Sequence, residues 1–420
     1  MKPRRVVITG IGVVAPNGIG KDAFWDALVK GKSGIRRITL FDPEGLPSQV
    51  AGEVTEFDPV QFMPRQIVKE RGRASHLAVA AARLALEDAS IGRERRLDLF
   101  VGMTFPAMDY VNDLVASFHA TKRFRGEDLF LLYNSVSPNT VAMDIAQVCE
   151  LFGNRFTIAN ACSSGSIAVV EAFKNVRSAR SEMCLAGGVD ACLNYLAFAA
   201  LIAAGFHVVS DLPPEKQSRP YDSLRTVGVA SEGSCFLVME SFDNALARGA
   251  RIYGEIVGVS ISSSFPAADP SEIRERLASC IKSSIIQARL SPQDISYVCA
   301  HGPSLRTFDY LETLALKDAL GPSAYRVPVS SIKSMIGNPM AASGPLQIAT
   351  ALIAGAEELI PPTINLEYPD PGCDLDYVPN VPRHNMVEYA LVDSHGFDNV
   401  DVSIVLSTER VLMQQCSRFC

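Results

Sequence analysis

Short β-branched runs alternate with longer Ala/Leu-rich segments along the whole chain, and this alternation most limits the folds open to it. Val6–Thr9, Leu99–Val101, Phe156–Ile158, Glu182–Ala186 and Cys235–Met239 read as strands, as do Glu255–Ser260, Tyr297–Cys299, Val327–Val329 and Val402–Leu406. Between them, Ser75–Asp88, Gly165–Ser178, Pro270–Ala288, Asp309–Leu320 and Ser343–Ala356 read as helices. That order predicts an α/β layered fold. The opening VVITGIGVV is echoed by YGEIVGVSIS after a charged stretch ending at Arg251, each a glycine-bearing apolar strand followed by long helices. The echo predicts a two-lobed duplication, residues 1–251 and 252–420.

With 420 residues and 48% hydrophobic side chains the chain can bury a large core, and disorder is excluded. A net charge of −7 argues against broad nucleic-acid binding, so an anionic partner needs a local basic patch. Ten cysteines with no C-x-x-C pair give no disulfide framework, zinc site or thioredoxin motif, and fit a reducing cytoplasm. No metal is expected. The basic, apolar N-terminus lacks a small-residue cleavage site and reads as a buried strand rather than a signal peptide. The longest apolar stretch, Tyr195–Phe206, is twelve residues, too short to cross a bilayer, so a soluble protein is expected.

Four segments carry possible chemistry. Gly10–Ala15 matches a dinucleotide fingerprint, but Pro16–Asn17–Gly18 follows at once and would break the required helix, so a glycine-punctuated core strand is the better reading. Cys162, in Asn160–Ala161–Cys162–Ser163–Ser164–Gly165, sits where a strand gives way to a helix, whose N-terminal field should lower its pKa and favour a nucleophilic thiolate. His301 precedes Gly302 at a strand end, where imidazole can project into a pocket. His76, His119, His207 and His384 read as packing, capping or surface residues. Lys333 lies among Ser and Met after a strand; by itself it equally fits a lysine snorkelling from a strand end.

Together these segments resemble the β-ketoacyl-acyl-carrier-protein synthases of the ketoacyl synthase II-like, thiolase-fold family. The resemblance runs from Arg4 to about Thr408 and includes Gly187–Gly188–Val189–Asp190, Ser218–Arg219–Pro220–Tyr221–Asp222 and Pro361–Pro362–Thr363. It implies a duplicated five-layer αβαβα fold, usually homodimeric, and no cofactor beyond the phosphopantetheine of an acyl carrier protein that delivers the substrates. It further implies that Cys162 takes the acyl chain, that His301 hydrogen-bonds the malonyl thioester carbonyl, and that Lys333 and Glu312 support them. The backbone N–H groups of Cys162 and Phe397 would form the oxyanion hole, with Phe397 also gating the pocket. The reaction implied is decarboxylation of a malonyl thioester, followed by attack of the enolate on the Cys162 thioester.

The chain departs from the family pattern at several points. The second histidine is Asn338, which can donate a hydrogen bond but not exchange a proton, and a Cys-His-Asn set also resembles initiating condensing enzymes. His-Gly-Thr-Ser-Thr reads His301–Gly302–Pro303–Ser304–Leu305, without the threonines that hold pantetheine. Gly-Phe-Gly-Gly-Thr-Asn reads Gly396–Phe397–Asp398–Asn399–Val400–Asp401, a change expected to restrict gating, and His395, which replaces a Phe beside it, is either a new polar group supporting the active site or a loop residue. Met103–Thr104–Phe105–Pro106 replaces a glycine-rich loop, so Met103 and Phe105 are expected to border the acyl pocket. Arg65, Lys69, Arg71 and Arg73 form the expected carrier-docking patch, with Lys122–Arg123–Phe124–Arg125 as a second cluster. The leading expectation is a condensing enzyme of a specialised fatty-acid or polyketide pathway, active as a homodimer or in a heterodimer. The rivals are an initiation-type acyltransferase that elongates weakly and a non-catalytic chain-length partner, with a nicotinamide-dependent oxidoreductase a distant fourth.

Overall fold

The computed structural model describes residues 3–92, 96–105, 108–124, 126–206, 210–226, 228–265 and 268–412. Ten strands make the central sheet path. The first five are β1 (Val6–Ala15), β2 (Asp98–Gly102), β3 (Arg155–Ile158), β4 (Met183–Asp190) and β5 (Gly233–Ser241). The second five are β6 (Gly254–Ser263), β7 (Tyr297–Cys299), β8 (Val329–Ser330), β9 (Tyr389–His395) and β10 (Val400–Thr408). Their spatial order is β3-β2-β4-β5-β1 in one half and β8-β7-β9-β10-β6 in the other. Each half thus runs third-second-fourth-fifth-first, with the first three in that order parallel and the last two antiparallel to their neighbours. The halves meet where β1 pairs briefly with β6 at Val7 and Ile8. One topology has been used twice.

The layers follow from the side chains. The Ala-rich α1 (Arg73–Asp88) lies on β1, and Gly10 and Gly12 let it close in: a Cβ there would stand 2.3 Å from the Ala85 carbonyl oxygen and 1.9 Å from that of Ala81. These glycines of the dinucleotide-like motif therefore serve strand–helix packing inside a fully buried strand. Helices α2 (Ser164–Arg177) and α5 (Ser343–Glu357) touch strands of both halves and form the middle layer. Helix α5 is buried on every face from Ser343 to Gly355, as its apolar composition requires. Helices α3 (Pro270–Gln287) and α4 (Arg306–Leu320) cover the outer face of the second half. Because β2, β3, β4 and β7, β8, β9 are each parallel sets, their C-terminal ends present six loops to one region between the halves.

Along the central sheet path the structure shifts one expected strand and adds another. Pairing begins at Val329 rather than Val327, because Pro328 has no N–H to give a ladder. The polar run Asp393–Ser394–His395 ends β9, a strand absent from the sequence reading, and all three side chains are buried. His207 and Arg125 lie outside the described residues.

Candidate active site

The six loops assemble the site. Cys162 follows β3, one residue before the Ser163 cap of α2, and is 2% exposed. Its approach is a tight elbow in which Ala161 takes φ 44°, a left-handed conformation costing about 1–3 kcal/mol for a non-glycine residue. Met340, at φ 46°, makes a matching turn opposite, and its Sδ stands 3.6 Å from Cys162 Sγ. Two strained residues bracket the thiol.

Asn338 lies 4.0 Å from Cys162 Sγ through Nδ2. Its Oδ1 accepts from Met340 N–H at 3.2 Å and from the Ser343 hydroxyl at 3.1 Å, so the amide must turn its NH2 toward the thiol. The position is therefore a fixed hydrogen-bond donor.

His301 and Lys333 form the next pair. Lys333 Nζ donates to the His301 carbonyl at 2.6 Å and stands 3.4 Å from His301 Nδ1. With an ammonium against Nδ1, that nitrogen keeps its lone pair and the ring proton sits on Nε2. Burial and then Lys333 hold His301 well below the usual histidine range, which keeps it an uncharged donor. Burial also lowers Lys333, opposed chiefly by Glu312.

Glu312, on α4, accepts from the backbone N–H of His301 at 2.6 Å, from that of Gly302 at 3.0 Å and from the Tyr221 hydroxyl at 2.8 Å. Asp393 accepts from the same His301 N–H at 3.2 Å, and burial together with the neighbouring Glu312 raises it well above the carboxylate range. Glu312 thus fixes the His301 loop, and Asp393 is a second support that the sequence reading missed.

The apolar side is built around Cys162 itself. Phe198, Leu201, Phe206 and Met340 cluster with it, and Phe105 packs against them. Asp190, raised by burial to about 6 despite accepting from the backbone N–H groups of Phe105, Ala341 and Thr104, ties that loop to the Met340 turn. Over the site lies Phe397, 45% exposed, its ring tilted against Phe206 at 4.6 Å and Phe308 at 5.2 Å. Asn399 takes φ 58° in this turn and donates to the Phe265 carbonyl, so asparagine adopts the left-handed conformation in place of a glycine.

Several expectations need correction. The helix start does not leave Cys162 with a lowered pKa: burial pushes the thiol up to about 12, against the pull of Lys333 and the Asn338 amide. Met103 packs into the core beneath the Ala face of α1 instead of joining the cluster around Cys162. Arg71 and Arg73 are not a docking surface, because they pair with the buried carboxylates of Asp144 at 2.7 Å and Glu232 at 2.6 Å. Only Arg65 and Lys69 of that patch are exposed. In the altered His301–Leu305 loop, Ser304 is spent on the Arg219 backbone N–H at 3.0 Å.

A buried cysteine facing an amide donor and a lysine-backed histidine defines a thiol-dependent acyl-transfer centre. The N-terminal domain model of the β-ketoacyl synthases matches residues 3–245 and the C-terminal domain model matches residues 253–367. The 3-oxoacyl-[acyl-carrier-protein] synthase 2 of Synechocystis sp. is 34% identical over 424 residues, covering 96% of this chain and 98% of that one. Among solved structures, the ishigamide ketosynthase/chain length factor is 30% identical with a TM-score of 0.89, covering 97% of this chain and 99% of that one. A type II polyketide ketosynthase in complex with its acyl carrier protein, AntDE:AntF, is 29% identical with a TM-score of 0.86 over 97% of this chain and 100% of that one. This chain belongs to the β-ketoacyl synthase family, condensing enzymes of the acyltransferase type, and has their thiolase-like fold.

Proposed function

We propose that the protein condenses an acyl group held on Cys162 with a malonyl unit carried by an acyl carrier protein, releasing the malonyl carboxyl group. The observation that carries this reading is the placing of Cys162, the Asn338 amide and the Lys333-backed His301 in one buried site. Cys162 Sγ attacks the acyl thioester, the backbone N–H groups of Cys162 and Phe397 receive the oxyanion, and its collapse breaks the bond to the carrier's pantetheine sulfur, which leaves as the thiol. When the malonyl C–C bond breaks, its electron pair moves onto the thioester, and His301 Nε2–H and Asn338 Nδ2–H donate to the enolate oxygen. Each such donor is worth about 3 kcal/mol of barrier. The enolate carbon then attacks the Cys162 thioester and expels the thiolate. Phe105 borders the acyl chain, and Phe397 swings to admit it.

Intact-protein mass spectrometry tests the reading. Acyl-carrier thioesters should leave an adduct on Cys162 that malonyl-carrier protein then discharges as a β-ketoacyl carrier. No adduct with any chain length would overturn it. Asn338 motivates a second reading, an initiation-type enzyme, since the amide has no proton to exchange; that reading predicts a persistent adduct.

Arg65 and Lys69 are the carrier-docking cations in this reading, and substrates arrive on phosphopantetheine with no other cofactor. The exposed edge strand β3, with Phe152 and Phe156 at the surface, is where a second subunit would pair, identical or related. The division at Arg251 places the nucleophile in the first half and His301, Lys333 and Asn338 in the second. Among the described residues no helix is long and apolar enough to cross a membrane. The compartment proposed is the cytoplasm, whose reducing conditions suit buried cysteines held as free thiols.

A further inference from the structure

His395 is the imidazole that the scheme above leaves unused. It ends β9, is 4% exposed, and its Nδ1 is bonded to Asp401, the residue directly across the β9–β10 ladder. Its Nε2 is buried and has no hydrogen-bond partner among the described residues. The ring packs against Phe308 at 4.7 Å and meets the His301 ring edge-on at 6.3 Å. The same ladder is tied to the nucleophile's turn, because the Ser163 hydroxyl donates to the Val400 carbonyl at 2.7 Å. An unpartnered buried nitrogen is costly unless something fills it.

The partners set the tautomer. A carboxylate at Nδ1 selects the form with the proton on Nδ1, leaving a lone pair on Nε2. His301 is the reverse: the Lys333 ammonium leaves its Nε2 a donor. Asn338 has no basic atom to offer. Glu312 is saturated by two backbone N–H groups and Tyr221, and Asp393 lies against Glu312. Yet Cys162, buried against Met340, must shed its proton to become a nucleophile.

We propose that His395, backed by Asp401, is the proton acceptor of the acyl-loading step; this rests on the condensing-enzyme reading above. Cys162 Sγ forms its bond to the acyl carbon while the S–H proton passes to His395 Nε2, directly or across one water, and Asp401 faces the resulting imidazolium. On collapse the acyl–sulfur bond to the carrier arm breaks, and its electron pair stays on the carrier sulfur. That sulfur takes the proton back from His395. Proton and charge balance, and no co-reactant is needed.

The experiment is single-turnover loading of Cys162 from an acyl-carrier thioester, followed by intact mass. It compares wild type, His395→Phe, His395→Ala and Asp401→Asn. His395→Phe keeps an aromatic ring against Phe308 and should load about 100-fold more slowly, the usual worth of a positioned base. His395→Ala should be slowed similarly and recover on adding free imidazole, whereas His395→Phe, with the space filled, should not. Asp401→Asn should fall between them and wild type. Malonyl decarboxylation by enzyme already acylated should change little in any of these. Loading by His395→Phe at the wild-type rate would overturn the assignment, as would a slow His395→Ala that imidazole leaves slow. If His395→Ala does not fold, His395→Phe decides. Failure of wild type itself to load would instead strike the condensing-enzyme reading.

Discussion

Two imidazoles meet edge-on and are backed by opposite charges: His301 by the Lys333 ammonium, His395 by the Asp401 carboxylate. The same side chain is thereby made a donor in one place and an acceptor in the other, with no change in the ring itself. What fixes each role is the residue behind the imidazole. The variants that break this contrast most completely are those that remove its substrate. Cys162→Ala should abolish the acyl adduct, while Cys149→Ala, at another buried cysteine, should leave it intact; equal labelling of both in intact mass spectra would sink the nucleophile assignment.

His301→Ala should separate the two roles, cutting condensation by about 10²–10³-fold while acyl loading stays near wild type. Equal loss in both half-reactions would erase the distinction drawn between the two rings. Lys333→Met tests what stands behind the donor. With the ammonium gone, His301 should rise toward its ordinary value and become protonated at higher pH. The acid limb of the condensation profile should therefore move up, and the rate at pH 6 should fall further below that at pH 8 than in wild type. An unmoved limb would mean that burial alone keeps His301 uncharged.

Smaller effects bear on the apolar side. Phe105→Ala should shift the preferred acyl chain to longer lengths, with a few-fold change in relative rates read by product mass. Arg65→Glu should raise the KM for the carrier protein a few-fold, more at low salt than at high. Arg73→Ala should instead lower the Tm, because it strands Glu232 in the core.

Much of this was legible in the chain, for physical reasons. Apolar strands such as β1 and β5 and the Ala-rich α1 announce themselves because burial writes a pattern into them. Cys162, His301 and Lys333 stand out because each breaks such a pattern at a strand end. Strand β9 does not: the sequence singles out His395 but marks neither the strand nor Asp393, and only the fold shows Asp393, Ser394 and His395 buried together. Arg71 and Arg73 mislead for the opposite reason, since a run of cations in sequence says nothing about the carboxylates that three-dimensional neighbours supply. The thiol's pKa needed the structure as well, because the depth of burial outweighs a helix terminus that sequence can locate.

The repeated strand order has an evolutionary corollary. Equivalent strands in the two halves end in loops that now differ completely: β2 leads to Phe105 where β7 leads to His301, β3 to Cys162 where β8 leads to Lys333 and Asn338, and β4 ends in Asp190 where β9 ends in His395. A symmetric ancestor assembled from two identical half-chains would have carried each loop twice, so any mutation improving one copy would have struck its mirror image too. A single chain carries no such constraint. Each set of loops can then differ from its counterpart, so a repeated strand order can frame an asymmetric site.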